Sequence, residues 1–244
     1  TYAGVMPPGD PIQPGTHAEN PETKRRFKNL LEVSGLYQKL HQVDAYHATE
    51  EDILRVHTPN YLSRIKAMSA ETGGDAGMLK LFWEDASVLT ISIHQDRCFP
   101  PDSGDMADNG AGEGAGCNIN IPLPAGSGVG AYEAAFDRVI IPALQKFKPE
   151  LIIVPSGFDA GAHDPLGRMM MHSEGYRSLT RKLMDVADEL CAGRLVMCHE
   201  GGYNDATVPF FGLAVMESLS GIKTQTNDPF MALFEALAGQ DLQP

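Results

Sequence analysis

The chain has 244 residues, 43% of them hydrophobic and 21% charged, with a formal net charge of -13. Such a length and balance fit one α/β domain with a sizeable core over residues 1–244, and the acidity argues against a sequence-independent nucleic-acid binder, which needs basic patches to displace counterions. No apolar run approaches the ~18 residues of a membrane span and no basic-then-apolar leader is present, so no membrane partner is expected and the sequence reads as cytoplasmic.

The first nineteen residues are rich in proline and glycine and are expected to form an irregular arm. Asn20-Pro21-Glu22 then reads as cap, first-turn proline and first-turn acid of a helix with Phe27, Leu30 and Leu31 on one face and Gly35 as its stop. A second helix is expected from the box Thr49-Glu50-Glu51-Asp52 through Ile53, Leu54 and His57, and a third after Pro59 with Tyr61, Leu62, Ile65 and Met68 inward. A glycine-rich loop, Thr72 to Gly77, comes next. The first core strand is Ser87 to His94, so three helices precede it where a doubly wound sheet alternates strand with helix.

From Gln95 to Gly116 lies a loop rich in Pro, Gly and Asp; loops of that length are functional or disordered. Its fragment Gly110-x-Gly112-x-x-Ala115 matches a dinucleotide fingerprint in form only, since no strand precedes it and no helix comes after. Ala131 to Phe147 is an amphipathic helix with a kink expected near Pro142. It feeds Leu151 to Ala160 (LIIVPSGFDA), a short apolar run that reads as a strand buried on both faces, with Asp159 at its carboxyl end, where parallel sheets collect ligands. His172-Ser173 opens a helix burying Tyr176, Leu179, Leu183, Val186 and Leu190. That helix leads to the strand RLVMCHEGGY, which ends in Glu200, two glycines and Tyr203. Apolar helices at Val208 to Leu219 and Phe230 to Leu237 close the chain.

Three strand ends therefore carry polar groups. Asp159 is either a cap for the next helix or loop, or a metal ligand or base. Tyr203 after paired glycines can donate to a developing oxyanion, because glycines let backbone come close to a ligand. His94 is either a hydrogen-bonded core histidine or a ligand. Cys98, Cys117, Cys191 and Cys198 contain no CxxC pair and are expected to be reduced, and no cysteine stands out as a nucleophile.

In this order, Asn20-Pro21-Glu22 with Arg25-Arg26, EEDILRVHTPNYL, TGGD, SVLTISIHQ, CFPPDSG, GAGEGAGCNINIPLP, LIIVPSGFDA, HDPLGRM and EGGY resemble a histone deacetylase-like amidohydrolase, and within that family the bacterial class II type. The resemblance implies a three-layer arginase/deacetylase-like parallel sheet flanked by helices. It also implies zinc-dependent removal of an acyl group from acetyl-lysine, an acetylpolyamine or a similar acylated amine, so a small acylated amine or acetyl-lysine peptide would be the partner. By motif position Asp159 would be a zinc ligand, Tyr203 the oxyanion tyrosine, Asp75 the loop aspartate that holds substrate backbone, Phe99 an aromatic wall of the acyl-lysine tunnel and Leu166 a pocket lining. Structural potassium would fall at Ser92 and Ile93 in one site and at Phe82, Asp85, Val88 and Cys117 in a second. Whether the chain forms a homo-oligomer is left open.

The same resemblance exposes a gap. Between Gly77 and Phe82 the family carries strand-helix units with tandem histidines and an Asp-x-His pair, the source of the other two zinc ligands. This chain has eight histidines; no two are adjacent and none stands two residues after an aspartate. At ~30 residues for each unit, the gap is on the order of a hundred residues. The sheet is then expected to lack central strands and to expose apolar edges. Two readings stand: a zinc-dependent deacetylase without its middle segment, or a truncated, inactive binding or assembly module.

Overall fold

A computed structural model describes residues 18, 21–55, 59, 60, 62, 63, 82–99, 101 and 103–242. The loop aspartate Asp75 and the suspected junction after Gly77 lie outside them, as do Asn20, His57, Tyr61, Ile65 and Met68. The chain divides into two compact units. The larger is Thr1–Leu40, Ile91–Asp108 and Ile119–Pro244; the smaller is His41–Thr90 and Asn109–Asn118.

In the larger unit, α1 (Glu22–Val33) starts directly after Pro21 and carries its first-turn acid, Glu22. The negative side chain suits the positive end of the helix dipole. Gly35, at φ +72°, turns the chain out of α1, a backbone state that costs glycine nothing. Leu31 and Leu36 pack with Leu213, and Phe27, Leu30, Leu40, Met216 and Ile222 surround them.

β1 (Thr90–Gln95) and β2 (Asn118–Leu123) form one two-stranded sheet. β2 is not foreseen from sequence because Pro122 interrupts it, yet a proline is tolerated where its missing N–H is not needed by a neighbour. The helix expected over Ala131 to Phe147 is α3 (Val129–Ala135), a wide π turn (Phe136–Ile140) and α4 (Ile141–Phe147). The expected kink at Pro142 is thus a π turn just ahead of it, which accommodates the proline ring that would clash with the carbonyl one turn back.

β3 (Ile152–Ser156) and β4 (Leu195–His199) pair in parallel, from Ile152 opposite Leu195 to Ser156 opposite His199. Between them runs α5 (Ser173–Cys191), capped by His172, whose Nδ1 accepts the Gly175 N–H at 3.4 Å. Its buried stripe is Tyr176, Leu179, Leu183 and Val186, the spacing of one helical face; Leu190 is only half-buried. α6 (Val208–Ser220) and α7 (Met231–Glu235) complete the unit. Rings of Phe158, Tyr176, Phe211 and Phe234 link them, with Phe158 edge-on to Tyr176 at 5.1 Å.

One expectation is overturned. The β3 strand is not buried on both faces. Ile152 is 7% exposed, but Leu151 is 49%, Ile153 60% and, on β4, Val196 47%. Pro155 and Cys198, paired in register on the same face, are exposed as well. The reason is width: among the described residues this sheet has two strands, so nothing extends it far enough to seat a second helix layer.

In the smaller unit, α2 (Glu50–Leu54) has the expected capping box: the Asp52 N–H donates to Thr49 Oγ1 at 3.1 Å and the Thr49 N–H donates to Asp52 Oδ2 at 2.9 Å. Leu62 is buried. The glycine-rich fragment after residue 109 is structural here, not a nucleotide cradle. A methyl group on Gly110 would lie 2.1 Å from the Gly114 carbonyl oxygen, and one on Gly114 would lie 2.7 Å from the Asp85 N. The glycines let this strand of chain close on Trp83 to Asp85, where the Ala111 N–H donates to the Trp83 carbonyl at 2.9 Å.

Candidate functional site

The parallel ladder of β3 and β4 continues past the strands and builds the site. The Glu200 N–H donates to the Ser156 carbonyl at 3.1 Å and the Phe158 N–H to the Gly201 carbonyl at 2.9 Å. The turn after β3 and the turn after β4 are therefore held side by side. A methyl group on Gly201 would meet Asp159 Oδ2 at 2.5 Å and Tyr203 Oη at 3.4 Å, so the carboxylate and the phenol converge over Gly201, no farther apart than the sum of those distances. Gly202 comes next at φ +119°, packed against Phe158 and Val208. That conformation swings Tyr203 back over the strand ends, and only glycine adopts it without strain.

The loop HDPLG locks this arrangement. Asp164 accepts the Leu166 and Gly167 N–H groups through Oδ1 at 2.8 and 2.9 Å, and the Tyr203 N–H through Oδ2 at 2.9 Å. Asn204 donates to the His163 carbonyl at 2.8 Å. Gly167 lies flat on Asp159, since a methyl group there would stand 2.0 Å from the Asp159 carbonyl oxygen.

Burial first, and then the charge of Asp164, push the Asp159 carboxyl above its ordinary value. Two buried phenols stand nearby. Tyr176 donates to the Gly157 carbonyl at 3.4 Å, and burial followed by the Asp159 charge raises the Tyr132 pKa. His199 packs between Phe158 and Phe27, with ring centroids 4.8 and 5.8 Å away. Burial and then the Lys24 charge bring its imidazole down to about 4. Its Nε2 is buried without a hydrogen bond among the described residues. Lys24 itself donates to the Glu200 carbonyl at 3.0 Å.

The structure thus brings Asp159, Tyr203 and, through Asp164, Leu166 together. Phe99 lies on the loop after β1 with 69% of its surface exposed. His94 resolves toward its structural alternative: Nδ1 meets Ser92 Oγ at 2.8 Å and Nε2 meets the Gly104 carbonyl at 3.0 Å. Of the residues expected around potassium, Ser92 and Ile93 belong to the larger unit and Phe82, Asp85, Val88 and Cys117 to the smaller. In the smaller, the Asp85 N–H donates to the Phe82 carbonyl and the Thr90 N–H to the Cys117 carbonyl, at 3.1 and 2.9 Å. Carbonyl oxygens keep a second lone pair after such a bond.

Asp164, Lys24 and His199 are not foreseen from sequence as parts of this site. An aspartate before proline and a glycine is a turn signal that could have singled out Asp164. Nothing local marks Lys24, which arrives from 176 residues away.

A catalytic zinc site takes three protein ligands with an open position. Among the described residues no group of three His, Cys, Asp or Glu side chains could hold a metal ion. Asp159 is a suitable single donor with no partner set, so the described residues do not fit that centre.

Known proteins are similar to this chain in sequence and in fold. A family described as Histone deacetylase domain matches residues 73–219. The chain is 35% identical to the histone deacetylase-like amidohydrolase of Pseudomonas aeruginosa, covering 96% of this chain and 86% of that protein. It is 36% identical to the chloroplastic histone deacetylase 14 of Arabidopsis thaliana over 74% of this chain, and spans 38% of that protein's length. The crystal structure of an HDA15 HD domain superposes with a TM-score of 0.74 at 21% identity, covering 95% of this chain and 91% of that one, which shows a shared fold. The match to the Pseudomonas protein spans 325 positions. Since 96% of 244 residues is about 234, about 90 of those positions have no residue here.

Proposed function

This chain belongs to the histone deacetylase family and has its arginase/deacetylase α/β fold, and we propose that it carries one half of a zinc-dependent deacetylase site acting on acetyl-lysine or a similar acylated amine. The convergence of Asp159 and Tyr203 over Gly201 carries the reading. Family membership implies a metal cofactor; zinc is the ion we assign to it, with Asp159 as the one ligand this chain retains. Tyr203 acts by donating its hydroxyl proton in a hydrogen bond to the carbonyl oxygen as negative charge develops there. Gly201 leaves room for the Asp159 carboxylate beside that hydroxyl, and Asp164 holds the tyrosine backbone. Leu166 and Phe99 would contact the acyl chain and Asp75 the substrate backbone, while Ser92, Ile93, Phe82, Asp85, Val88 and Cys117 would serve potassium. All four cysteines are free, which suits a reducing cytoplasm, and among the described residues no helix is long and apolar enough to cross a membrane.

The absence of a three-donor group among the described residues favours a second reading, in which the chain is an inactive binding module. A chimera separates the two. The stretch of the Pseudomonas relative that falls between its counterparts of Gly77 and Phe82, inserted there, is expected to restore bound zinc and hydrolysis of an acetyl-lysine peptide. A folded chimera that binds zinc without turnover would favour the module.

A further inference from the structure

We propose that the hollow between β2, α3 and the C-terminal tail is a binding site for a medium-chain aliphatic carboxylate. Its volume is about 490 Å³, within the range of small-ligand sites. Ile121 and Leu123 of β2, Ala131 and Ala134 of α3, Val139 of the π turn and Leu242 of the tail make its wall largely apolar. All of them belong to the larger unit, and neither Asp159 nor Tyr203 lines the hollow. The site is therefore separate from the proposed half-site and does not depend on it.

The tail is a fixed wall. The Gly128 N–H donates to the Gly239 carbonyl at 2.9 Å and the Gly130 N–H to the Gln240 carbonyl at 2.7 Å. Gln240 Nε2 donates in turn to the Met170 and Phe234 carbonyls, at 2.8 and 3.1 Å. A methyl group on Gly130 would lie 2.4 Å from the Leu242 N, so backbone meets backbone here without a side chain between. One cation selects the ligand. Arg138 lines the hollow from the π turn, is exposed, and has no hydrogen bond or ion pair from its side chain among the described residues. Asp241, the other charged residue on the wall, already has a partner. π turns recur at functional sites. A hydrocarbon chain would leave water against the apolar wall, while its carboxylate meets Arg138 at the solvent edge. A wholly apolar ligand would leave that cation unmet, and an amine would be repelled by it.

Isothermal titration calorimetry on the full 244-residue chain tests this with hexanoate, octanoate and decanoate, and with decanamide as the neutral control. Affinity is expected to rise about threefold for each added methylene. Decanamide should bind about fivefold more weakly than decanoate, the scale of one partly exposed ion pair. Arg138→Gln, at an exposed position, should bring decanoate down to the affinity of decanamide and leave decanamide unchanged. Ala134→Phe, checked for an unaltered denaturation midpoint, should remove binding of both. The proposal is overturned if decanoate does not bind below its micelle concentration, or if the acids of different length bind equally, which is a charge contact alone. It is also overturned if the preference for decanoate over decanamide survives Arg138→Gln, or if a folded Ala134→Phe chain binds as before. Neither zinc nor turnover enters the measurement, so its outcome is distinct from that of the chimera.

Discussion

Asp164 accepts the main-chain N–H of Tyr203 at 2.9 Å through one carboxylate oxygen while the other holds the amides of Leu166 and Gly167. A single side chain thus fixes the loop after β3 to the turn after β4. Asp164→Ala removes three charge-assisted hydrogen bonds at once and is expected to cost about 2–3 kcal/mol, read as a shift in the urea midpoint. Asp164→Asn should lose less stability and lower the Asp159 pKa, because the Asp164 charge contributes to raising it. An unmoved Asp159 titration in that variant, followed by carboxyl NMR, would show that the two do not interact.

The two glycines before Tyr203 should behave differently. Gly202 sits at φ +119° with Phe158 Cβ 2.7 Å from where a methyl group would go, so Gly202→Ala is expected to cost about 1–3 kcal/mol through strain. Gly201 has no such backbone constraint; a methyl group there meets the Asp159 carboxylate at 2.5 Å and the Tyr203 hydroxyl only at 3.4 Å, so Gly201→Ala should cost about 1 kcal/mol and displace the carboxylate instead. Equal midpoints for the two variants would contradict this assignment.

His199 gives the fold a pH dependence whose direction is fixed. Its folded pKa, about 4, lies below the ordinary 6.5, so the unfolded chain takes up a proton first as pH falls. The stability it contributes is complete above pH 6.5 and is lost between 6.5 and about 4. Asp159, raised by burial, works oppositely: its contribution is present below its ordinary 3.8 and is lost as pH rises through its folded pKa. Replacing His199 by Phe should therefore flatten the fall in denaturant midpoint between pH 6.5 and 4.5. A wild-type slope retained in full by the variant would assign it to other groups.

In the chimera carrying the Pseudomonas insert, Tyr203→Phe is expected to lower turnover by ~10²-fold or more with little change in KM, as loss of an oxyanion donor does. A rate unchanged by the substitution would remove Tyr203 from the reaction.

Much of this is legible in sequence where local chemistry decides the outcome. The box at Thr49 and the His172 cap announce helix starts because a side chain meets a backbone N–H within the same turn. Asp159 and Tyr203 are legible as strand-end residues, since an apolar run that stops at glycine marks a crevice. The features that escape a sequence reading depend on distant partners. LIIVPSGFDA reads as buried on both faces, but burial of Ile153 requires a layer that the described fold does not contain. The glycines after residue 109 match a dinucleotide fingerprint in form only, and what they do instead is visible only once Asp85 is seen against Gly114. Asp164, Lys24 and His199 form contacts spanning tens of residues or more, which no window on the sequence contains.

The half-site account is tested most directly by measuring bound zinc per chain and hydrolysis of an acetyl-lysine peptide on the purified 244-residue protein. One proposed ligand, Asp159, where a catalytic site takes three, leads us to expect substoichiometric zinc and no turnover above background. Stoichiometric zinc with sustained hydrolysis would contradict it.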